Sequence, residues 1–391
     1  MRVLLALCLV WLPASASALA ITKLPMLQTY RTGEVRVQWE TDSNPPGTEH
    51  RLEWGMASPA ESSVLAQATI QLSPSHFVHR AVATGLSAQT AYLYRVRSGA
   101  VVSATYSIRT APLPATPFRV GFISDNQDQV GTPFLSVLTR LAARAPDAIG
   151  HAGDTVQNGD NLAEFESQWF APWSAAPGNL GQDTPVLVAR GSHDAETPQA
   201  MAYHWLPEGG FGWWYAETIG RARFLFLDSN LPFVEQVDWL RAELASPASR
   251  DADFRIAVFH KPPYTNLWDS PGYNGEPFVR DVWVPLLEQG NVDLVVSGHA
   301  HCYQRFALNG VTYAIVGGAG GALDTVPQSP PWPFIRVAQP VHHYALMDVA
   351  GPRLRWTAYD LADQAIDTFE LVSPASGIPV FPTGASRGVT R

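Results

Sequence analysis

Two histidines, His299 and His301, stand two residues apart, directly after the apolar run 292–296. If the chain stays extended there, their side chains point to the same side. In α/β proteins, ligand sites form at the carboxyl ends of strands. Two imidazoles at such a strand end can bind a metal ion, although imidazoles are also found as ordinary packed or surface side chains. The interpretation therefore depends on which residues end the other strands.

Four further apolar runs also end on carboxylates or histidines. They are followed by Asp125, Asp154, the sequence Gly191-Ser192-His193-Asp194, and His260. Each residue alone is typical of an ordinary strand end. Together they place oxygen and imidazole groups along one sheet edge, which suits borderline divalent or trivalent metals. A carboxylate that bridges two ions about 3.5–4 Å apart makes a site that clamps phosphoryl oxygens and activates water.

The elements that position these residues follow from the pattern of the chain after residue 117. Apolar strands are predicted at 118–123, 146–151, 184–189, 224–227, 255–259, 292–296 and 311–316. Helices are predicted at 133–143, 162–170, 234–244 and 278–289. Such alternation predicts an α/β layered core, which further strands at 344–349 and 353–359 complete.

The first part of the chain has a different pattern. Between residues 21 and 110, apolar and polar residues alternate with period two, and turn residues separate the runs. This spacing predicts a β-sandwich of about 90 residues, and none of its polar residues form a catalytic pattern. The proline-rich segment 111–117 is the predicted domain boundary.

The two ends of the chain indicate processing rather than folding. Arg2, the apolar stretch 3–12 and Ala18-Leu19-Ala20 predict a secretory signal at residues 1–20, with a buried N-terminal strand as the alternative. The apolar stretch is too short to span a bilayer. Residues 373–391 are rich in proline, glycine and serine and are predicted to be a flexible tail. We therefore expect a secreted or periplasmic protein that is not anchored in a membrane.

Composition narrows the class of partner. The 391 residues carry a net charge of −9, which argues against nucleic acid or an anionic membrane surface as the main partner. A small phosphate ester is still compatible, because metal ions can reverse the local field. Of the two cysteines, Cys8 lies in the predicted signal, so Cys302 has no partner for an internal disulfide. Nothing in the sequence specifies an oligomeric state.

The order of the motifs resembles the metallophosphoesterase (calcineurin-like) superfamily. Segments 259–264, 298–305 and 315–321 resemble purple acid phosphatases, as do segments 79–86 and 92–96 of the predicted sandwich. The resemblance covers nearly the whole mature chain. It implies a four-layer α/β core at residues 113–372, in which two packed mixed β-sheets are flanked by helices. A fibronectin type III-like purple acid phosphatase N-terminal domain at residues 21–112 precedes that core.

The resemblance also implies a role for each candidate ligand. Asp125, Asp154 and His301 would hold the first of two metal ions. Asp154 would bridge to the second ion, which His260 and His299 would also hold. Zinc, manganese and iron all fit this mixed ligand set.

His193 is the predicted general acid. By the same resemblance, it would protonate the leaving alkoxide or hold a phosphate oxygen, oriented by Asp194. A nearby carboxylate raises the pKa of an imidazole, which suits an acid. The alternative is that His193 and Asp194 are an ordinary pair of polar residues in a turn.

Three departures from the family pattern concern the metal ligands. Gln127 stands where purple acid phosphatases have glycine and other metallophosphoesterases have histidine. Gln157 replaces the tyrosine that ligates ferric iron, so no purple charge-transfer colour is expected. Ser192 replaces the expected asparagine and is a shorter, poorer ligand. Either glutamine could offer a neutral amide oxygen, so Gln127 and Ser192 are kept as candidate metal ligands.

The predicted function is an exported phosphatase that hydrolyses phosphate monoesters with a hydroxide activated by two metal ions. A phosphodiesterase of the same superfamily is the alternative within the class. A catalytically weakened protein that keeps the fold and binds a ligand is a second alternative, and a binding module built on the sandwich is a third. The retention of the carboxylates and histidines favours an active enzyme.

Several aromatic residues and histidines near the motifs have no assigned role. For most of the aromatic residues, packing is the favoured interpretation, although some could rim a cleft for an apolar leaving group. The residues are Trp205, Phe211, Trp213, Trp214, Tyr215, Trp268 and Tyr273, with His204, His342 and His343 as further candidate ligands.

Overall fold

A computed structural model describes residues 19–128, 133–206, 213–230 and 233–373. Nearly all of the predicted signal, the tail beyond residue 373 and Phe211 lie outside these ranges. Within them, no helix combines the length and the apolar character needed to cross a membrane.

Nine strands build the N-terminal part of the chain. They are β1 (Ile21–Leu27), β2 (Glu34–Thr41), β3 (His50–Gly55), β4 (Ser62–Leu65), β5 (Ala68–Ser73), β6 (His76–Thr84), β7 (Ala91–Ser98), β8 (Val101–Val102) and β9 (Tyr106–Arg109). One antiparallel sheet has the order β1-β2-β6-β5, and the other has the order β4-β3-β7-β8, with β9 also on β7. Alternate residues of both sheets, such as Val37, Leu52 and Val96, share one buried cluster. The predicted sandwich is therefore present, whereas its likeness to fibronectin type III stays a prediction.

Fifteen strands and eight helices follow within the described ranges. The strands are β10 (Phe118–Ile123), β11 (Ala148–His151), β12 (Val186–Val188), β13 (Tyr215–Ile219), β14 (Ala222–Phe226), β15 (Phe254–Val258), β16 (Leu267–Trp268), β17 (Leu294–Ser297), β18 (Tyr303–Leu308), β19 (Val311–Val316), β20 (Val326–Pro327), β21 (Val337–Gln339), β22 (His343–Ala350), β23 (Arg353–Asp360) and β24 (Ala365–Val372). The helices are α1 (Pro133–Ala143), α2 (Leu162–Glu164), α3 (Ala171–Ala175), α4 (Leu180–Asp183), α5 (Pro198–Tyr203), α6 (Val234–Leu244), α7 (Pro247–Arg250) and α8 (Val284–Gln289). A 3₁₀ turn spans Pro177–Asn179, and π-helical turns span Phe165–Phe170 and Val279–Trp283.

Two mixed sheets form the core of this second part. The first has the order β12-β11-β10-β22-β23-β24, and its strands β10, β11 and β12 are parallel. The second has the order β13-β14-β15-β17-β19-β18-β21, and strands β14, β15, β17 and β19 are parallel. Because parallel strands end at the same edge, this arrangement gathers the residues that follow β10, β11, β12, β15 and β17.

The two sheets pack against each other, and helices cover their outer faces. Phe122 of the first sheet and Val258 and Val296 of the second lie in one buried cluster. Helices α1 and α3 pack on the first sheet, and α6 and α8 pack on the second. Strands buried on both faces are expected to be almost continuously apolar, as β10, β15 and β17 are. The predicted α/β fold with two packed mixed sheets is confirmed.

The sandwich packs against the segment that follows residues 191–194. Arg80 donates to the carbonyl oxygens of Met201 and Ala202 at 2.6 and 2.9 Å. The Tyr203 hydroxyl donates to Glu40 at 2.5 Å, and Gln38 donates to the Tyr203 carbonyl. Helix α5 is therefore fixed by both domains, and the loop that carries Ser192 and His193 leads directly into it.

His79 should make the stability of the sandwich sensitive to acid. The ring is fully buried, with Nε2 2.8 Å from the Thr41 hydroxyl and Nδ1 3.0 Å from the Thr69 hydroxyl. Burial, and secondarily the charge of His50, lower the pKa of His79 to about 3. An unfolded histidine titrates near pH ~6.5. Below that value the unfolded chain gains a proton that the folded chain does not, so the stability present above it is lost as the pH falls.

The loss should reach about 1 kcal/mol per pH unit below ~6.5, until the folded ring itself titrates. We expect the free energy of unfolding in urea to fall over this window, and the His79→Gln variant to show a shallower slope. His76→Gln, at the start of the same strand, is the matched control. An unchanged slope in His79→Gln would contradict the assignment.

Candidate metal centre

The five strand ends converge at one edge of the two sheets. Asp154 Oδ2, His260 Nε2 and His299 Nδ1 form a group whose ligand atoms all lie within 4.8 Å of one another. His260 Nε2 lies 3.1 Å from Asp154 Oδ2 and 3.1 Å from His299 Nδ1. The Ser192 hydroxyl lies 3.2 Å from His260 Nε2 and 3.4 Å from Asp154 Oδ2. The structure thus brings together the residues that were predicted to hold the second ion, including Ser192.

The hydrogen bonding of His260 fits a metal ligand. Its Nδ1 lies 3.0 Å from the Ala152 carbonyl, which can only accept, so Nδ1 carries the proton and Nε2 presents a lone pair to Asp154 in the neutral ring. Two acceptors that face each other in a buried site need a positive charge between them, which a metal ion or a proton on the ring supplies. Donation of the other ring N–H to a backbone carbonyl is the usual arrangement of metal-bound histidine.

The electrostatics lead to the same conclusion. Burial opposes protonation of His260, but the charges of Asp154 and Asp125 outweigh burial and raise its pKa to about 9. Burial, together with the charge of His260, lowers the pKa of His299 well below its ordinary value. The pocket therefore favours one positive charge beside Asp154 and keeps His299 as a neutral imidazole.

The residues predicted for the first ion also meet here. Asp125 accepts the backbone N–H of His299 at 2.9 and 3.0 Å, and its Oδ1 lies 3.5 Å from His301 Nε2. His301 Nδ1 donates to the Ala322 carbonyl at 2.6 Å. Gln127 lies against His301 and Asp154, and its amide nitrogen, rather than its oxygen, faces them.

Three candidate ligands have left-handed backbone conformations. The φ angles are +61° at Asp125, +56° at Asp154 and +70° at His299. Residues other than glycine seldom adopt positive φ, and such conformations gather at functional sites where the surrounding structure holds them. The ligand loops are therefore tightly specified by their backbone as well as by their side chains.

Two glycines allow these loops to approach one another. A Cβ atom on Gly191 would lie 1.9 Å from the Asp154 backbone nitrogen, and one on Gly298 would lie 2.3 Å from Asp125 Oδ2. Both distances are far inside van der Waals contact. No side chain can stand at either position without moving a ligand.

Asp194 does not orient His193, so that part of the sequence prediction is wrong. Its buried carboxylate accepts from the backbone N–H groups of Gly191, Thr155 and Asp154 at 2.7, 2.8 and 3.0 Å, and from the Thr155 hydroxyl at 2.6 Å. These four bonds use the lone pairs of both oxygens. Asp194 therefore joins the loop that carries Asp154 to the loop that carries Ser192 and His193, and it has a positioning role.

His193 is oriented by the backbone instead. Its Nδ1 donates to the Gln157 carbonyl at 2.9 Å, and its backbone N–H donates to Asp154 Oδ1 at 2.8 Å. The hydrogen bond of Nδ1 leaves Nε2 as the ring atom of His193 that is available to a substrate. The Gln157 side chain makes no hydrogen bond to the candidate ligands within the described ranges, so this residue contributes through its main chain.

The three additional candidate histidines have structural roles. His204 Nε2 lies 3.0 Å from the Thr155 hydroxyl, and burial lowers the pKa of the ring to about 4. His342 and His343 donate to the carbonyls of Gly318 and Val341 at 3.2 and 2.8 Å. None of the three belongs to the ligand group found among the described residues.

Sequence reasoning missed a supporting layer behind the ligands. The Asp324 carboxylate accepts the backbone N–H of His301 at 2.7 Å. His151 Nε2 lies 2.7 Å from the Asn126 amide oxygen, and the Asn126 amide nitrogen donates to the Thr155 carbonyl at 2.8 Å. Asn126 directly follows Asp125, and His151 lies three residues before Asp154, so their positions could have indicated this supporting role. No feature of the sequence indicated Asp324.

Two of the aromatic residues contact a candidate ligand. The Trp268 and Tyr273 rings lie 4.6 and 5.3 Å from the His299 ring, centroid to centroid. Trp205 instead lies between Arg36 and Arg80 at the domain interface. The remaining described aromatic residues of the set are buried packing residues, namely Trp213, Trp214 and Tyr215.

Substitution of Ser192 should reveal whether its hydroxyl stands at a ligand position. Asparagine reaches further and offers an amide oxygen close to His260 and Asp154. We expect Ser192→Asn to tighten zinc binding by about 10-fold, a gain of the size that partners of metal ligands typically contribute. Isothermal titration calorimetry measures the change, and Ser167→Asn, on an exposed position, is the control. Equal affinity in wild type and Ser192→Asn would remove Ser192 from the site.

Comparisons with known proteins agree with this geometry. Residues 118–303 match the family described as calcineurin-like phosphoesterase, and residues 25–110 match the purple acid phosphatase N-terminal domain. Together the two matched regions cover more than half of the chain. The chain therefore belongs to the calcineurin-like metallophosphoesterases, a class of metal-dependent hydrolases. Within that class it is a purple acid phosphatase-like member.

The relatives found by sequence agree with these family matches. An uncharacterised protein of Mycobacterium tuberculosis is 27% identical over 274 residues, which are 58% of this chain and 50% of that protein. A purple acid phosphatase of Glycine max is 25% identical over 312 residues, which are 73% of this chain and 65% of that protein. This chain thus spans about half to two thirds of the length of these relatives.

Similar folds are found in two solved structures. A purple acid phosphatase from yellow lupin seeds has a TM-score of 0.76 at 18% identity, and the match covers 89% of this chain and 74% of that one. A structure of PhoD has a TM-score of 0.66 at 13% identity, and the match covers 92% of each chain. At these identities the likeness shows the fold alone.

Proposed function

We propose that this protein is a metal-dependent phosphatase that hydrolyses phosphate monoesters. The observation that carries the proposal is the buried convergence of Asp154, His260 and His299, with His193 bonded to Asp154 through its main chain. Family membership supports the reaction class. The purple acid phosphatase resemblance favours monoesters, and phosphodiesters are the alternative.

The chemistry divides between the metal centre and the chain. Bound ions would polarise the phosphoryl group and lower the pKa of a bound water, which supplies the nucleophile near neutral pH. Asp154, His260 and His299, with Ser192 alongside, would hold an ion. By the family resemblance, Asp125 and His301 would be ligands of the other ion, which is the first of the two ions predicted from the sequence.

His193 supplies the proton. The Gln157 carbonyl fixes Nδ1–H, so a protonated ring presents Nε2–H to the leaving oxygen of the ester. Transfer of that proton as the P–O bond breaks avoids an alkoxide leaving group, which is the usual contribution of a general acid. The partly exposed position of His193 makes this nitrogen accessible to a small substrate.

A weakened binding protein is the competing proposal. A relative in Arabidopsis thaliana that is 22% identical over 379 residues is named probable inactive purple acid phosphatase 1. Here the six carboxylates and histidines that carry the predicted ligand and acid roles are all present. Their retention, in a geometry that still needs a cation, favours an active centre.

We also propose that the protein is exported, to the periplasm or outside the cell, and acts on small phosphate esters there. The support is the basic start, apolar stretch and small-residue site at residues 1–20, together with the net charge of −9. Edman sequencing of the protein recovered from culture fractions would locate the new amino terminus. An intact first residue in a cytoplasmic fraction would contradict export.

One experiment tests the catalytic proposal. The purified protein is analysed for metal, loaded with zinc, manganese or iron, and assayed with p-nitrophenyl phosphate and bis(p-nitrophenyl) phosphate across pH. We expect metal-dependent hydrolysis with the higher kcat/KM for the monoester. A higher value for the diester would favour the phosphodiesterase alternative. Less than about half an equivalent of metal and no hydrolysis with any of the three ions would refute the enzyme.

A further inference from the structure

We infer that the Gln127 carboxamide takes the place of the first metal ion, so that the protein binds one ion tightly rather than two. The inference rests on the proposed metal-dependent function and specifies its metal content. It concerns the position between Asp154 and His301, where the family resemblance requires an ion.

The contacts of Gln127 carry the inference. Only 2% of the residue is exposed. Its amide nitrogen lies 3.3 Å from Asp154 Oδ2 and 3.1 Å from His301 Nε2. Asp154 is the predicted bridging ligand, and His301 is a predicted ligand of the first ion alone. The amide therefore stands against two of the three groups that the first ion would have to contact, the third being Asp125.

The amide also offers hydrogen-bond donors to acceptors that an ion would otherwise contact. His301 Nδ1 donates to the Ala322 carbonyl, so Nε2 of the neutral ring is an acceptor, like the carboxylate beside it. The two N–H bonds of the Gln127 amide can donate to Asp154 and His301 at once. A neutral side chain thus supplies hydrogen-bond donors to the two acceptors that face each other at this position.

The second position has no such substitute. Asp154 Oδ2, His260 Nε2 and His299 Nδ1 converge there, and Ser192 is the side chain that reaches them. A hydroxyl carries one proton, so it can donate to Asp154 or to His260 but not to both. The described structure therefore places an amide donor at one position and no comparable side chain at the other.

Entry of an ion at the first position would require the carboxamide to rotate. Its Oε1 is buried without a hydrogen-bond partner, and a half-turn would point this oxygen at Asp154 and His301. That orientation is repulsive unless an ion lies between the oxygens. An ion entering there would also displace the two hydrogen bonds of the amide. The ion would gain one neutral amide ligand, whereas other family members provide a histidine or a tyrosine phenolate.

Metal counting tests the inference on the full-length protein. The protein is stripped with a chelator, titrated with zinc by isothermal calorimetry, and analysed by mass spectrometry after gel filtration. We expect about one tight equivalent for wild type and about two for Gln127→His, which restores a strong ligand at the first position. Gln364→His adds an exposed histidine on the turn between β23 and β24 and should stay at about one.

Manganese provides a second measurement that does not depend on a variant. Two ions about 3.5–4 Å apart through a shared carboxylate are magnetically coupled. We expect the manganese-loaded wild type to give the electron paramagnetic resonance spectrum of isolated ions. If Gln127→His does not fold, the number of zinc equivalents bound by the wild type and this manganese spectrum together test the inference.

The outcomes separate this inference from the proposed function. One equivalent, with or without hydrolysis, supports a single ion, and the absence of hydrolysis then counts against the phosphatase alone. Two tight equivalents in wild type with a coupled spectrum overturn the inference and leave the phosphatase standing. No tightly bound metal overturns both.

Discussion

Replacement of Asp154 by asparagine is expected to lower kcat/KM for aryl phosphates by more than about 100-fold. Even the outer partners of metal ligands are typically worth ~10–100-fold, and Asp154 would hold the metal directly in the proposed centre. Its two oxygens face His260, Ser192 and Gln127 on one side and the His193 backbone on the other. Asparagine keeps the shape but presents at most one oxygen and carries no charge.

The loss should occur without unfolding. Asparagine tolerates the positive φ of this position about as well as aspartate does. Tightly bound zinc, measured by mass spectrometry, should fall with the rate, while circular dichroism stays unchanged. Asp160→Asn, six residues further along and exposed, should retain both metal and rate. Full zinc content together with full activity in Asp154→Asn would contradict the role of Asp154 as a metal ligand.

Replacement of Asp194 by asparagine is expected to destabilise the fold by about 3 kcal/mol. Four donors converge on this buried carboxylate, and hydrogen bonds to a charged group contribute about 1.5–3 kcal/mol each. An asparagine must turn its NH₂ group towards N–H donors on one side, which leaves buried donors without partners. The free energy of unfolding in urea measures the effect.

The matched variant is His193→Ala. It should lower kcat by about 100-fold or more as a general acid would, while stability changes by only about 0.5 kcal/mol. The two variants thus separate a positioning residue from a catalytic one. If Asp194 acted by orienting His193, Asp194→Asn would lower kcat and leave the unfolding free energy unchanged.

The strands and their terminal residues were predictable because burial on both faces produces recognisable apolar runs. Helices 133–143 and 234–244 were predicted with the bounds of α1 and α6. Edge strands such as β13 and β21 were missed, because they are only partly buried and their polar residues interrupt the apolar run. The convergence of Asp125, Asp154 and His260 could be inferred because parallel strands end at one edge.

The directions of individual side chains were not predictable. Neighbours in sequence need not be neighbours in space, and Asp194 turns away from His193 because backbone N–H groups of two loops surround its carboxylate. The amide of Gln127 could be assigned to the metal region by motif position. Whether nitrogen or oxygen faces Asp154 depends on hydrogen bonds formed across three loops, which no spacing rule encodes.

The left-handed backbone at Asp125, Asp154 and His299 limits how this centre can change during evolution. Aspartate, asparagine and histidine are the residues that tolerate such φ angles best, after glycine. Exchange of one ligand type for another, such as aspartate for glutamate, therefore adds backbone strain of about 1–2 kcal/mol to any loss of fit. The replacements that the backbone accepts most easily are exchanges among aspartate, histidine, asparagine and glycine, and the last two are poor ligands. A lineage can lose this centre in one step, and its routes to a different set of ligands at these three positions are restricted to exchanges between aspartate and histidine.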